Sequence, residues 1–214
     1  PAVNVSELKK VGRIFYKNTS LKLKYGFNHR YHYSVIHALK LLKSNEFGKI
    51  VSLSGVYGKS SFEPWKGQGN WRIDRKKSGG GILLDQGIHL VDLIRLFGGE
   101  FTEIKSFISN DYWKNKIEDN AYSILRSKQG VVAIVHSSAT QWEHLFELKI
   151  ILEKGFINLK GILSGSKSYG SEKLIVGRKN TKQLKLKTYI YNKDDSWKKE
   201  IDEFANAIIY DRKI

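Results

Sequence analysis

The 214 residues contain no cysteine and no methionine. Without cysteine there is no disulfide, no thiolate zinc site and no cysteine nucleophile, a composition that fits a cytoplasmic protein. Methionine is missing even from the first position, where proline stands, so the chain is expected to be part of a longer gene product. No apolar run approaches the roughly 18–20 residues that a membrane span requires. The most apolar segment, 81–98, is broken by Asp85, His89, Asp92 and Arg95. No signal-peptide pattern opens the sequence. Arginine is scarce as well: it stands at eight positions against 37 basic residues in all, with a formal net charge of +16. Phosphate and base-edge recognition favour arginine's planar fork, and the lysines are dispersed. The charge therefore reads first as a solvated surface, next as help in attracting an anionic small ligand, and least as a nucleic-acid site.

What is present belongs to a globular chain, 41% hydrophobic and 12% aromatic, long enough for one substantial core. Ser6 is placed to cap a helix over 6–17 whose apolar face is Leu8, Val11, Ile14 and Phe15. Residues 21–27 alternate as a short strand would. A helix over 34–44 turns Val35, Ile36, Leu39 and Leu42 inward, with Gly48 at its exit. Residues 49–57 are a β-type run. A long loop over 58–80 carries Pro64, Trp65, Trp71 and Arg72, and loops of that length are usually functional or disordered.

A helix over 81–97 follows, and then the pattern changes. Segments 102–109, 119–128, 131–139, 145–153 and 156–161 read as strands, with turns at Gln129-Gly130 and Lys154-Gly155. Further strands are expected near 172–178 and 184–191, and Asp195 or Ser196 opens a last helix to about Tyr210. Strands joined by short turns imply an α+β class: an open, mainly antiparallel β-sheet with helices packed on one face, in a single domain 1–214.

The densest chemical signal is the run from Gly79 to Asp92. Three glycines lead into a helix that is apolar nearly all round except for Asp85, His89 and Asp92 at i, i+4 and i+7. On an α-helix those offsets share one face, and burying such groups unpaired is costly. Three readings follow. An acid and a histidine one turn apart could contribute two metal contacts, although no third ligand is visible. They could be a polar cluster satisfied inside the core. Or Asp85 and His89 could be an acid/base pair in a cleft, His89 titrating near working pH with Asp92 as a supporting or helix-end partner.

Other glycines carry less. Gly67-Gln68-Gly69 has no third glycine in register, Gly79 to Gly81 lacks the GxGxxG spacing, and Gly165 to Gly170 lacks the Gly-Lys-Ser/Thr of a phosphate loop. The stretch Gly26-Phe27-Asn28-His29-Arg30-Tyr31 ends the first strand and either lines a ligand crevice or is a plain turn. His29 and His32 read more readily as solvent-exposed than as ligands. Trp71-Arg72 offers a flat surface beside a cation, suited to a sugar or nucleotide, or else a core anchor. Thr140-Gln141-Trp142 ends a strand and could face the same cleft.

These segments, GFNHRYH, GKIVSLSGVYG, WRIDRKKSGGG and GGGILLDQGIHLVD, resemble the Gfo/Idh/MocA family of glucose–fructose oxidoreductase, inositol dehydrogenase and relatives. EDNAYSILRSKQGVVAIVHSSATQW, LEKGFINLKG and DSWKKEIDEFANAI resemble the later strands and returning helix of that family's second domain. The resemblance implies an NAD(P)-dependent oxidoreductase of a sugar, cyclitol or sugar nucleotide, with NAD or NADP held mainly by an N-terminal Rossmann domain. It implies that His89 exchanges the hydroxyl proton, that Asp85 binds or orients substrate, and that Asn28 lies on the cofactor side. Arg30, Trp71, Arg72, Gln141 and Trp142 would be substrate contacts. It also implies a homo-oligomer formed through the sheet. The family carries a Glu-Lys-Pro motif; Pro1 stands where its proline would, followed at once by Ala2, so the motif's lysine and the Rossmann domain are expected to lie outside these residues. The chain by itself would then be inactive. The alternative from another class is a binding or oligomerisation module of the same fold, its polar stripe without catalytic use. A nucleic-acid site is a weaker third, and no membrane association is expected.

Overall fold

The computed structural model describes residues 2–18, 20–60, 71–164, 168–179 and 183–214. In chain order the elements are α1 (Val5–Lys17), α2 (Tyr33–Lys43), β1 (Ile50–Gly58), α3 (Arg75–Ser78), α4 (Ile88–Gly98), β2 (Phe101–Ser109), β3 (Asn120–Ser127), β4 (Val132–Ser138), β5 (Leu145–Leu152), β6 (Gly155–Lys160), β7 (Glu172–Lys179), β8 (Leu184–Tyr191) and α5 (Ser196–Ile209). The strands form one sheet in the order β2-β3-β4-β1-β5-β6-β7-β8. Every neighbouring pair is antiparallel except β1 with β4. A parallel pair needs a long crossover, and the segment from β1 to β4 contains α3, α4 and the β2–β3 hairpin.

The period-2 pattern explains the core. In β5, Phe146, Leu148, Ile150 and Leu152 are buried while the residues between them are less so. Leu53, Ile157 and Leu174 point to the same face, where Leu90, Leu93 and Ile94 of α4 and Val35 and Ala38 of α2 close over them. α4 lies on β1 and β4, and α2 on β6, β7 and β8. On the opposite face Phe107 pairs across strands with Tyr122, and Ile124 with Ile134, all exposed among the described residues.

Several expectations change. The first helix is capped by Asn4, whose Oδ1 accepts the Glu7 amide at 2.9 Å, not by Ser6. Its apolar face buries no residue. Residues 21–27 are not a strand, because no described strand runs beside them to take up their backbone hydrogen bonds. Lys22 and Lys24 instead reach Asp211 and Glu203. α5 packs mainly on the turn Asn28–Tyr31. The loop 58–80 contains a 3-10 turn (Trp71–Ile73) and the single turn α3; Pro64, Trp65 and Gly67-Gln68-Gly69 lie outside the described residues, as does part of Gly165 to Gly170. Among the described residues no helix is long and apolar enough to cross a membrane.

Candidate active site

The glycine run is a matter of close packing. Any Cβ at Gly81 would run into the Glu118 carbonyl, and one at Gly87 into the Ser137 hydroxyl. Gly81 lets the Ile82 amide bond that same carbonyl at 3.1 Å. Between the two glycines the helix expected over 81–97 is not regular: Leu83–Gly87 is a π-helical turn, and only Ile88–Gly98 is α-helical. One extra residue in a turn breaks the i, i+4, i+7 alignment, and such turns recur at functional sites. The three polar side chains accordingly find separate surroundings.

Asp85 is gripped by two cations, Lys59 Nζ at 2.9 Å and Arg72 Nε at 3.1 Å. The Arg72 guanidinium lies 4.6 Å over the Trp71 ring. This ion cluster borders a cleft of about 280 Å³ lined by Val3, Trp71, Arg72, Ser78, Leu84 and Asp85. Asp92, buried, takes both arms of Arg30, Nε at 2.7 Å.

His89 hydrogen-bonds neither carboxylate. Its ring lies flat on His29, centroids 4.0 Å apart and planes 10° off parallel, with Phe27 edge-on at 6.0 Å. Its Nδ1 is buried with no hydrogen-bond partner among the described residues. Burial lowers the His89 pKa below the ordinary imidazole value, opposed by the charges of Asp92 and then Asp85. The ring is therefore neutral near pH 7 yet would have two carboxylates near it once protonated. His29 is pushed down further, by burial and by the imidazoles of His89 and His32.

The structure thus joins Asp85, Arg72 and Trp71 at one cleft, with His89 and the Arg30–Asp92 pair on the continuation of the same helix. Arg30, His89, Gln141 and Trp142 are not among the residues that line that cleft; Arg30 lines a separate one with Phe27, Tyr31 and Glu200. Gln141 donates to Ser138 Oγ at 3.4 Å. Trp142 has a left-handed backbone (φ 58°) and sets its exposed ring 5.0 Å from Tyr112. Asn28 is buried, with its amide donating to Ser196 Oγ at 3.3 Å and accepting from His29 at 3.2 Å. The expectation that His29 and His32 are exposed is overturned: they are 7% and 2% exposed. Partners distant in sequence satisfy them, Tyr57 for His29 at 3.1 Å and Glu172 for His32 at 2.9 Å.

Sequence reasoning missed Lys59, Tyr57, Gln86 and Tyr169. Tyr169 donates to Gln86 Oε1 at 2.6 Å, bracing the residue beside Asp85. Lys59 had a readable signal, a cation directly after a β-type run, at the kind of strand end where crevice residues collect.

A model of the GFO/IDH/MocA C-terminal domain matches residues 35–158, more than half the chain. Levoglucosan dehydrogenase of Pseudarthrobacter phenanthrenivorans is 30% identical over 87 residues, 39% of this chain and 21% of that protein. A solved levoglucosan dehydrogenase in complex with NADH and levoglucosan matches with TM-score 0.65 and 21% identity over 78% of this chain and 46% of that one. An assigned NADPH-dependent oxidoreductase of Desulfitobacterium hafniense matches with TM-score 0.83 and 17% identity over 99% of this chain and 61% of that one. An aldose–aldose oxidoreductase of Caulobacter crescentus complexed with glycerol gives 0.71 and 21%, over 90% and 55%. The chain spans about half the length of these solved relatives.

Proposed function

This chain belongs to the Gfo/Idh/MocA family, and from that premise we propose that it is the substrate-side domain of an NAD(P)-dependent oxidoreductase acting on a sugar-type hydroxyl or carbonyl. The observation that carries this reading is His89, a neutral imidazole with an unpartnered buried Nδ1 one turn beyond the Asp85 cluster. An orphaned ring nitrogen one turn beyond a fixed carboxylate suits a hydroxyl that must be held and deprotonated. NAD or NADP, when bound, supplies the hydride acceptor; these residues carry no dinucleotide fingerprint. The relatives solved with NADH and with a sugar or polyol support this class of ligand.

In oxidation, the imidazole of His89 takes the hydroxyl proton as the carbinol carbon loses its hydride, leaving a carbonyl. In reduction, it returns that proton to the forming alkoxide. Asp85, held by Lys59 and Arg72, orients the hydroxyl as an acceptor, and the Trp71 face and Arg72 border the sugar ring. Asn28, on the cofactor side in this reading, is held in place by Ser196 and His29. The absence of cysteine suits a cytoplasmic enzyme.

The test is turnover by the complete protein with NAD and NADP across sugars and cyclitols, followed by the absorbance of reduced nicotinamide. No turnover with any of them ends the proposal. Asp85→Asn is expected to raise KM about 10- to 100-fold, the worth of a charged hydrogen bond, with a smaller effect on kcat. An unchanged KM would remove Asp85 from substrate binding.

The exposed sheet face favours a second property, self-association. Phe107 is 83% exposed and Leu186 62%, on a face with Ile124, Ile134 and Tyr122. Exposed apolar patches of this kind mark interaction surfaces. Phe107→Glu with Ile134→Lys should reduce the mass measured by light scattering to that of the monomer. An unchanged mass, or a monomeric parent, excludes the sheet as the interface. Retained association with no catalysis would favour the non-catalytic module.

A further inference from the structure

We propose that His29 is a positioning residue for His89, a flat ring clamped in the core that fixes the plane of the imidazole stacked upon it. The inference rests on the reading of His89 as the proton carrier. A histidine that exchanges protons is usually oriented by a hydrogen bond from its second nitrogen. His89 has no such bond at Nδ1. Asp85 is engaged by Lys59 and Arg72, and Asp92 by Arg30. What sets the His89 ring is contact: the His29 face at 4.0 Å on one side and the Phe27 edge at 6.0 Å.

His29 is built to be that surface, because both its nitrogens are tied. With the Asn28 amide donating to Ser196 Oγ, Asn28 Oδ1 accepts from His29, which places the proton of His29 on Nδ1. Nε2 shares a hydrogen bond with the Tyr57 hydroxyl at 3.1 Å. His32 meets the His29 ring edge-on at 5.5 Å and is itself anchored to Glu172. The two stacked rings therefore divide the work: His29 holds its place and stays uncharged, and His89 cycles. The charges facing His89 are Asp85 and Asp92 on its own helix, Arg30 on Asp92, Lys59 and Arg72 on Asp85, and the imidazoles of His29 and His32.

The test uses the complete protein and two substitutions. His29→Leu removes the flat face and is expected to lower kcat about 10- to 100-fold, the range for a reacting group misplaced by about an ångström, while KM changes little. His29→Phe restores a flat uncharged ring and should recover most of that loss. Spectra of nitrogen-labelled histidine follow His89 directly: its ring signals should carry the shielding of a stacked neighbour in the parent and in His29→Phe, and lose it in His29→Leu. The acid limb of kcat should move with the His89 midpoint seen in those spectra. Parent-like kcat and His89 signals in His29→Leu overturn the proposal. So does equal loss of kcat and of folding stability in both variants, which would make the role merely structural. If His89→Ala leaves turnover intact, the proton-carrier reading fails by itself, and the ring signals still report separately on whether His29 positions His89.

Discussion

His89→Ala in the complete protein should lower kcat about 10²- to 10⁴-fold, the usual contribution of a positioned acid or base. KM should shift far less, since the ring acts on a proton and Asp85 carries the binding. The fold should survive, because the neighbouring ion pair of Arg30 with Asp92 and the core residues Leu90, Leu93 and Ile94 are untouched. A melting curve alongside the kinetics checks this. The pH dependence follows from the sign of the shift. Burial holds the His89 pKa below the ordinary value of about 6.5, so oxidation should rise with pH through that lowered midpoint and level off below neutrality. Reduction needs the protonated ring and should fall over the same interval. Asp92 is the larger of the two charges that oppose this shift, so Asp92→Asn should move both limbs to still lower pH. A limb that moves upward, or a kcat within threefold of the parent in His89→Ala, excludes His89 as the proton carrier.

The legibility of this site in the sequence stops where backbone geometry depends on tertiary contacts. The strands from 102 to 191 were readable from alternation and from turns such as Gln129-Gly130, because burial on one face repeats every second residue. The helix holding His89 was readable from its apolar run. The π-helical turn was not: it depends on Gly81 meeting the Glu118 carbonyl and Gly87 meeting Ser137, and neither partner is near in sequence. Its effect is that Asp85 and His89, aligned on an ideal helix, act through different neighbours. The buried histidines were unreadable for a related reason. His29 and His32 sit in a polar stretch that reads as an exposed turn, and only Tyr57 and Glu172, brought in by β1 and β7, make their burial tolerable. In 21–27 the opposite happened. The alternation of a strand is present, but a strand also needs a neighbour, and none of the described residues provides one.

Glu172→Ala should have the largest effect on stability, about 3 kcal/mol, the cost of leaving two buried donors without their acceptor. Glu172 is wholly buried at the start of β7. One carboxylate oxygen accepts from His32 Nδ1 at 2.9 Å and the other from the Ser34 amide at 2.7 Å. Ser34 lies in the first turn of α2, where amides lack partners within the helix, and His32 at the cap position offers no side-chain bond. The cap comes instead from a strand 138 residues away, and its negative charge suits the helix N-terminus. Removing it leaves a buried amide and a buried imidazole without their acceptor and loosens α2 from the sheet. Glu172→Gln keeps one carbonyl acceptor and should cost less. The effect should also reach the site, because His32 directly follows the turn Asn28–Tyr31 and meets the His29 ring edge-on. At a denaturant concentration where both proteins are fully folded, Glu172→Ala should therefore show a lower kcat than the parent. Denaturant unfolding gives the stability arm, and a loss below about 1 kcal/mol, the worth of an ordinary hydrogen bond, would show that α2 is held mainly by its apolar contacts.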